Sequence, residues 1–231
     1  MTAAADANRG KVPLVVAMDG PSGSGKSSVA RRVAERLGLL YLDTGAMYRA
    51  VGLLAVEAGV SPDDETAVLA VAERAGLRFD ALGRLFAGER DLSEAIRTLK
   101  AGELASRVSA LPGVRRLLVD EQRSLARRRS VVMEGRDIGT NVFPDAAVKV
   151  YLTASPAVRA QRRRRELLAS GTDVTFDEVL ASVVERDRRD SERSVAPLRQ
   201  AEDAVAVDTT TMSLDEVVAT VEEIARRELG L

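Results

Sequence analysis

The chain has 231 residues with 34 Lys and Arg against 35 Asp and Glu, and this near-neutral balance argues against a general nucleic-acid-binding protein. It contains no Cys, which excludes disulfides and thiolate chemistry, and no His, so acid–base chemistry would fall to carboxylates, Lys or Arg. The length suits one α/β domain with insertions. No apolar run approaches the roughly 20 residues of a membrane span, and residues 1–11 lack the apolar core of a signal peptide, so we expect a cytoplasmic protein.

The first predicted elements are an apolar strand over residues 14–18 and a helix over residues 26–37 that Gly38 ends. Between them lies the full phosphate-loop pattern G-x-x-x-x-G-K-[ST], whose glycines let successive backbone N–H groups face one anion. We therefore predict binding of a nucleoside triphosphate, with Lys26 at the outer phosphates and Ser27 on Mg²⁺. The predicted ATP-binding residues are Gly20, Pro21, Ser22, Gly23, Ser24, Gly25, Lys26, Ser27 and Ser28.

The next segments predict a short strand over residues 39–42 and a helix closed by Gly59. Asp43 and Thr44 stand between these elements, where they could cap the helix or face a ligand. Ser61, followed by Pro62 and three acids, predicts the start of another helix. Alternating apolar residues over 77–81 and 84–92 then predict a small antiparallel hairpin, which we expect to be a mobile substrate flap.

The second half of the chain alternates predicted helices and apolar strands. Helical pattern covers residues 93–129, with a break at Pro112, and returns over 156–170, 176–189 and 214–229, whereas strands are predicted at 131–133, 148–152 and 204–207. This alternation indicates a parallel sheet covered on both faces. Ligands bind such sheets at the carboxyl ends of the strands, where the phosphate loop, Asp43 and the cluster at 134–137 fall.

Two arginine-rich helices, joined by a loop over residues 171–175, suggest a lid that closes over a phosphoryl group. The first carries five arginines over 159–165, some of which must be surface residues. Arg136 and Arg193 lie beside acids and small residues, and guanidinium groups suit a phosphate held bidentately. Glu134 could hold a Mg²⁺-bound water or cap the turn that follows it. We expect Tyr48 to pack rather than react.

Four segments together make the chain resemble the bacterial cytidylate kinases, a family of nucleoside monophosphate kinases. They are Asp-Gly-Pro-Ser-Gly-Ser-Gly-Lys-Ser-Ser at 19–28, Tyr-Leu-Asp-Thr-Gly-Ala-Met-Tyr-Arg at 41–49, Glu-Gly-Arg-Asp-Ile-Gly-Thr at 134–140 with Val-Phe-Pro-Asp-Ala at 142–146, and Glu-Arg-Asp-Arg-Arg-Asp-Ser at 185–191 with Arg193 and Val-Ala-Pro-Leu at 195–198. The resemblance covers nearly all of the chain after Lys11. One departure is Glu134, at a position where Asp is also found in the family.

The resemblance implies transfer of phosphate from ATP to CMP or dCMP with Mg²⁺, and small nucleotides as the partners of a monomer that binds neither nucleic acid nor membrane. It implies a P-loop kinase fold over residues 1–231, with a core at about 12–58, 113–158 and 196–231, a monophosphate-binding insertion at 59–112 that contains the hairpin, and a helical lid at 159–195.

The resemblance also implies roles for individual residues. Arg49, Arg136 and Arg193 would hold the acceptor phosphate, and Asp190, oriented by Arg186, would meet the sugar hydroxyls. Ser106, Arg115 and Asp137 would read the cytosine, with Thr44 and Tyr48 nearby. Arg162 and Arg163 would contact the transferring phosphoryl group. The implied catalytic residues are Lys26, Arg136, Arg162, Arg163 and Arg193, and the implied metal site is Ser27 with Glu134 acting through water.

Three other interpretations stay open at this point. A phosphate-loop kinase for shikimate or another monophosphate would have no use for the segments 134–137 and 185–193. A GTP-dependent switch would need an Asn-Lys-x-Asp stretch, which the chain lacks. A nucleic-acid-binding module would have to rely on the arginine runs alone.

Overall fold

A computed structural model describes residues 13–80, 82–169 and 171–230 of the chain. The alanine-rich start, Ala81 in the predicted hairpin and Ser170 before the lid loop lie outside the described residues. Among the described residues, no helix is both long and apolar enough to cross a membrane.

The core is a five-stranded parallel sheet, with strands numbered here in chain order. It contains β1 (Val15–Asp19), β2 (Leu40–Asp43), β6 (Val131–Glu134), β7 (Val148–Thr153) and β8 (Val205–Asp208), in the spatial order β2-β6-β1-β7-β8. Every strand pair in this sheet is parallel. The predicted α/β class is therefore confirmed, and the carboxyl ends of β1, β2 and β6 lie side by side at one edge.

Helices cover both faces of the sheet. On one face, α1 (Lys26–Leu37) and α8 (Leu214–Leu229) pack on Val16 and Met18, and on the other face α5 (Pro112–Arg128) packs near Ala17. Successive residues of β1 thus point to opposite faces, as the pleat of a strand requires. Because both faces are covered, the strand is apolar throughout until Asp19.

A second unit lies beside α2 (Thr44–Glu57). It consists of α3 (Glu65–Ala75), a small antiparallel sheet and α4 (Leu99–Val108). The sheet has three strands, β3 (Leu77–Phe79), β4 (Leu85–Ala87) and β5 (Arg90–Asp91), where the sequence predicted a hairpin. The last helix pair, α6 (Pro156–Ala169) and α7 (Phe176–Glu192), packs through Leu167, Val179 and Val183.

Four local features differ from the sequence predictions. The helix predicted from residue 93 starts only at Leu99, after a single 3₁₀ turn at Ala95–Arg97 and the capping residue Thr98. The helix predicted to begin at Ser61 begins at Glu65, because the Asp64 carboxylate, not the Ser61 hydroxyl, accepts the bond from Ala67 N at 3.0 Å. Helix α7 ends at Glu192, three residues beyond the predicted end. Residues 138–142 form a single wide helical turn of π type, which no periodicity in the sequence indicated.

Candidate active site

A cavity of about 1260 Å³ opens at the carboxyl ends of β1, β2 and β6, between the small second unit and the α6–α7 pair. Of the residues predicted to form the site, all but Gly20 and Pro21 line it. The lining set of predicted residues is Ser22, Gly23, Ser24, Gly25, Lys26, Ser27, Ser28, Thr44, Tyr48, Arg49, Ser106, Arg115, Glu134, Arg136, Asp137, Arg162, Arg163, Arg186, Asp190 and Arg193.

The phosphate loop has backbone positions that only glycine fills without strain. Gly20 has φ +145°, and a Cβ there would lie 2.0 Å from the Leu152 carbonyl oxygen. Lys26 is buried, and its Nζ donates to the Pro21 carbonyl at 2.7 Å and to the Ser24 hydroxyl at 3.3 Å. Burial and then the positive charge of Arg136 lower the pKa of Lys26 to about 7. The lysine is therefore a cation short of an anionic partner.

Glu134 ends β6 beside the start of α1, and the chain holds it on several sides. The Tyr41 hydroxyl donates to its Oε1, and the Thr44 hydroxyl donates to its backbone carbonyl at 2.8 Å. Burial, and then the nearby Asp43 carboxylate, raise the pKa of Glu134, while the charge of Lys26 opposes this shift. Within the described residues, no backbone N–H of the following turn donates to the Glu134 carboxylate.

The pair of Ser27 and Glu134 fits Mg²⁺ held with a nucleotide. Among the described residues, no group of three or more Asp, Glu, His or Cys side chains could enclose a metal ion. Mg²⁺ bound with nucleotides needs no such cage, since phosphates and waters supply most of its ligands. One hydroxyl and one carboxylate that line the same cavity meet that need.

Asp43 caps the helix that follows it and also lines the cavity. Its Oδ1 caps α2 by accepting from Ala46 N at 3.0 Å, and its Oδ2 accepts from Arg49 Nη2 at 2.6 Å. The Nε of Arg49 is buried and has no hydrogen-bond partner among the described residues. The Nη2 of Arg49 is thus held by Asp43, while its Nε–H can still donate to a ligand.

A buried ion pair joins α5 to the segment after β6. The Arg115 Nη2 donates to Asp137 Oδ2, which also accepts from Asn141 Nδ2 at 3.1 Å. Tyr48 packs as predicted, with its ring centroid 5.7 Å from the Arg115 guanidinium carbon. Asp137 Oδ1 accepts no hydrogen bond from the described part of the chain, and Arg193 Nη2 lies 3.7 Å from it.

Asp190, on the last turns of α7, meets the arginines of the site. Its Oδ2 accepts from Arg136 Nε at 3.0 Å, whereas Arg186 Nε lies 3.9 Å away. Arg136, rather than Arg186, is therefore its hydrogen-bond donor. Burial and then the charge of Arg136 lower the pKa of Arg186 to about 10, which again indicates a cation without enough negative charge around it.

The lid arginines divide into distinct environments. Arg162 donates to the Thr209 hydroxyl at 2.9 Å and to the Thr209 carbonyl at 2.7 Å, so it is tied to the loop after β8. Arg163 pairs with Glu166 at 2.9 Å and lines the cavity. Arg159, at the start of the arginine run, is buried and bound to Asp187, and it does not line the cavity.

No sequence pattern indicated two residues that support the site. Tyr41 holds Glu134, and Ser109 joins two arginines that line the cavity: its hydroxyl accepts from Arg193 at 3.5 Å and its carbonyl from Arg115 at 3.4 Å. Tyr41 stands in the quoted segment 41–49, but nothing there indicates a partner 93 residues away.

Positive charge dominates the cavity as a whole. Twelve lysines and arginines line it but only five aspartates and glutamates, in a chain whose total charge is −1. Two of these cations, Lys26 and Arg115, are buried, and such an excess of positive charge favours an anionic ligand.

The family model for cytidylate kinase matches residues 16–227, and every segment that lines the cavity falls within that range. The chain belongs to the cytidylate kinase family. A cytidylate kinase of Carboxydothermus hydrogenoformans is 48% identical over 216 residues, covering 92% of this chain and 97% of that protein. One of Mycobacterium leprae is 49% identical over 218 residues, covering 94% and 97%. A solved gluconokinase structure from Sinorhizobium meliloti is 18% identical with a TM-score of 0.49, covering 95% and 96% of the two chains.

Proposed function

We propose that this chain transfers the γ-phosphoryl group of ATP in line to the phosphate of CMP or dCMP, giving ADP and CDP or dCDP. Membership of the cytidylate kinase family supports this reaction. The structural observation that carries the proposal is the excess of cations around one cavity, because two phosphate-bearing substrates would fill it with negative charge. The absence of His from the sequence fits this chemistry, since a phosphate monoester is already largely ionised near pH 7 and needs no strong base.

The phosphate loop is the proposed donor site. Backbone N–H groups of the loop would bind the ATP phosphates, and Lys26 would exchange its bonds to Pro21 and Ser24 for the outer phosphates. Mg²⁺, when bound with ATP, would neutralise charge on the β- and γ-phosphates. Ser27 would ligate it directly and Glu134 through water. The Tyr41 hydroxyl leaves the second oxygen of Glu134 for that water.

The acceptor site is proposed for the side of the cavity formed by α2, α5 and α7. Arg49, Arg136 and Arg193 would hold the CMP phosphate, in line with the donor loop. Support comes from buried N–H groups of Arg49 and Arg193 that have no hydrogen-bond partner in the described residues. Unpaired buried donors cost about 1–3 kcal/mol each, so a bound phosphate would recover that energy.

The nucleoside would extend from that phosphate toward α4 and α5. Asp190 would accept from the sugar hydroxyls, with Arg136 holding its carboxylate and Arg186 3.9 Å from it. Ser106, Arg115 and Asp137 would meet the cytosine, and the open Oδ1 of Asp137 suits an amine donor. Thr44 and Tyr48 would pack beside them. Arg162 and Arg163 would approach the transferring phosphoryl group once the lid closes. The proposed division into core, insertion (59–112) and lid (159–195), the monomeric state and the cytoplasmic location stay predictions.

A coupled assay of ADP release tests the function. The protein is given ATP and Mg²⁺ with CMP, dCMP, UMP, AMP or shikimate in turn, and Lys26→Ala is run beside it as the inactive control. We expect turnover with CMP and dCMP that exceeds turnover with AMP and shikimate by at least 100-fold. Equal rates with all acceptors, or a preference for shikimate, would refute the proposal.

A further inference from the structure

Arg159, the first arginine of the lid run, is buried and donates hydrogen bonds to three separate parts of the chain. It is 3% exposed, and its Nε donates to the Ala154 carbonyl at 2.9 Å. Its Nη1 donates to the Ser22 carbonyl at 3.1 Å and to Asp187 Oδ1 at 2.9 Å, while Nη2 donates to Asp187 Oδ2. Four of its five N–H groups are thus bonded within the chain, so this arginine mainly holds segments of the chain together.

One end of this cluster is the phosphate loop. The Ser22 carbonyl that Arg159 binds belongs to the loop backbone, and a Cβ on Gly23 would lie 3.1 Å from the Arg159 Cβ. Gly23 has φ +77°, so the loop runs against the arginine in a conformation that favours glycine. A change in the position of this backbone would therefore move the guanidinium.

The other end of the cluster is α7. Asp187 follows Arg186 and precedes Asp190 by three residues, and both of these line the acceptor side of the cavity. The ion pair is bidentate, a geometry that fixes orientation as well as distance. One side chain thus ties the helix that carries the sugar-binding residues to the loop that binds ATP phosphates.

We infer that Arg159 and Asp187 are positioning residues that couple the two substrate sites, so that a filled phosphate loop places α7 for CMP. The inference rests on the proposed function. When ATP phosphates fix the backbone at Ser22, they fix the guanidinium and, through it, the Asp187 turn of α7. By thermodynamic linkage, CMP then strengthens ATP binding by the same factor.

The test is a measurement of coupling. Calorimetry gives the Kd of CMP with and without a saturating non-hydrolysable ATP analogue and Mg²⁺, and the ratio of the two is the coupling factor. We expect wild type to show about a 5- to 100-fold factor, the usual range for coupled sites. Asp187→Asn keeps the shape of the side chain and removes its charge. Arg159→Lys keeps the charge and removes the paired N–H donors that bind the carboxylate bidentately. Both variants should bring the factor to within about twofold of unity, and the double variant should lose nothing further.

Arg188→Gln is the matched control, since Arg188 lies on the same helix, is exposed and, among the described residues, forms ion pairs only with Glu185 and Glu192. It should keep the wild-type coupling factor. The Kd of CMP alone should stay within about threefold of wild type in Asp187→Asn, which separates lost coupling from a damaged site. If the Arg159→Lys protein does not fold, the coupling factor of Asp187→Asn alone tests the inference.

An Asp187→Asn protein with the wild-type coupling factor would overturn the inference, as would a wild-type factor of one. A wild-type protein that binds the analogue but not CMP would instead overturn the proposed function.

Discussion

Replacing Asp137 by alanine should reduce the preference for CMP over UMP by about 10- to 100-fold. In the structure, Oδ2 of Asp137 is taken by Arg115 and Asn141, while Oδ1 accepts no hydrogen bond from the described residues. We expect that oxygen to accept from the cytosine amine. Uracil has a carbonyl oxygen at that position, which would face a carboxylate in a buried site.

The magnitude follows from the kind of bond that is lost. A hydrogen bond to a charged group contributes about 1.5–3 kcal/mol, and each 1.4 kcal/mol is a factor of ten, which gives the range above. Alanine removes this contribution for CMP and also removes the repulsion toward UMP. The kcat/KM for CMP therefore falls while that for UMP rises, and both changes lower their ratio. This ratio is the quantity to measure.

Loss of the carboxylate also affects the fold. Arg115 is 4% exposed and would lose its buried partner, a change that typically costs about 3–5 kcal/mol of stability. Measuring both substrates on one preparation cancels any loss of folded protein from the ratio. Asp137→Asn is the second variant, since its amide oxygen keeps an acceptor for Arg115 while its N–H₂ can donate to uracil.

The assay is ADP release with CMP and UMP varied separately at saturating ATP. Asp145→Ala, a change at an exposed acid in the same segment, serves as the matched control and should keep the wild-type ratio. An unchanged ratio in both Asp137 variants would remove this residue from the base-reading set and leave it the role of holding Arg115.

The other predictions concern the donor site and the lid. Lys26→Ala should lower kcat by about 10³-fold or more with the fold intact, and a rate within tenfold of wild type would exclude the phosphate-loop role. Burial lowers the pKa of Lys26 to about 7, and bound phosphates favour its charged form. The affinity for ATP should therefore be constant below pH 7 and fall above it. Calorimetry across pH 6–9 measures this affinity, and an affinity that does not change with pH would contradict the prediction. Asp190→Ala should raise the KM for CMP and leave that for ATP nearly unchanged, and the opposite pattern in steady-state kinetics would reject its sugar role. Limited proteolysis should cut near Gly171, beside Ser170, in the free protein, and ATP with CMP should protect it; equal cleavage with and without nucleotides would argue against lid closure.

Sequence patterns predicted the core well because its signals are local. The strand before the phosphate loop, the helix after it and its end at Gly38 follow from apolar runs and a glycine in the left-handed region, and the structure has them. The prediction that a helix starts at Ser61 was wrong. Ser61 and Asp64 are both suitable capping residues, three positions apart, and the pattern alone could not show that Asp64 is the cap.

Contacts between distant segments could not be predicted from the sequence. The bonds of Tyr41 to Glu134 and of Arg159 to Asp187 depend on how strands and helices are arranged in space, and no spacing encodes them. The arginine run illustrates this. Five arginines lie within seven residues, yet Arg159 is buried in an ion pair, Arg162 binds Thr209 and Arg163 pairs with Glu166, according to the helix face each occupies.

Asp19, the last residue of β1, links the two halves of the site in a way that matters for protein engineering. Its carboxylate accepts from Ile138 N at 2.8 Å and from Gly139 N at 2.7 Å, and so holds the π turn that directly follows Asp137. The residue next to the phosphate loop thus sets the position of the turn behind the proposed base reader. A graft of residues 134–142 into another phosphate-loop scaffold would therefore need an acid at the position of Asp19, because otherwise the transplanted turn would lose the anchor for two of its backbone N–H groups.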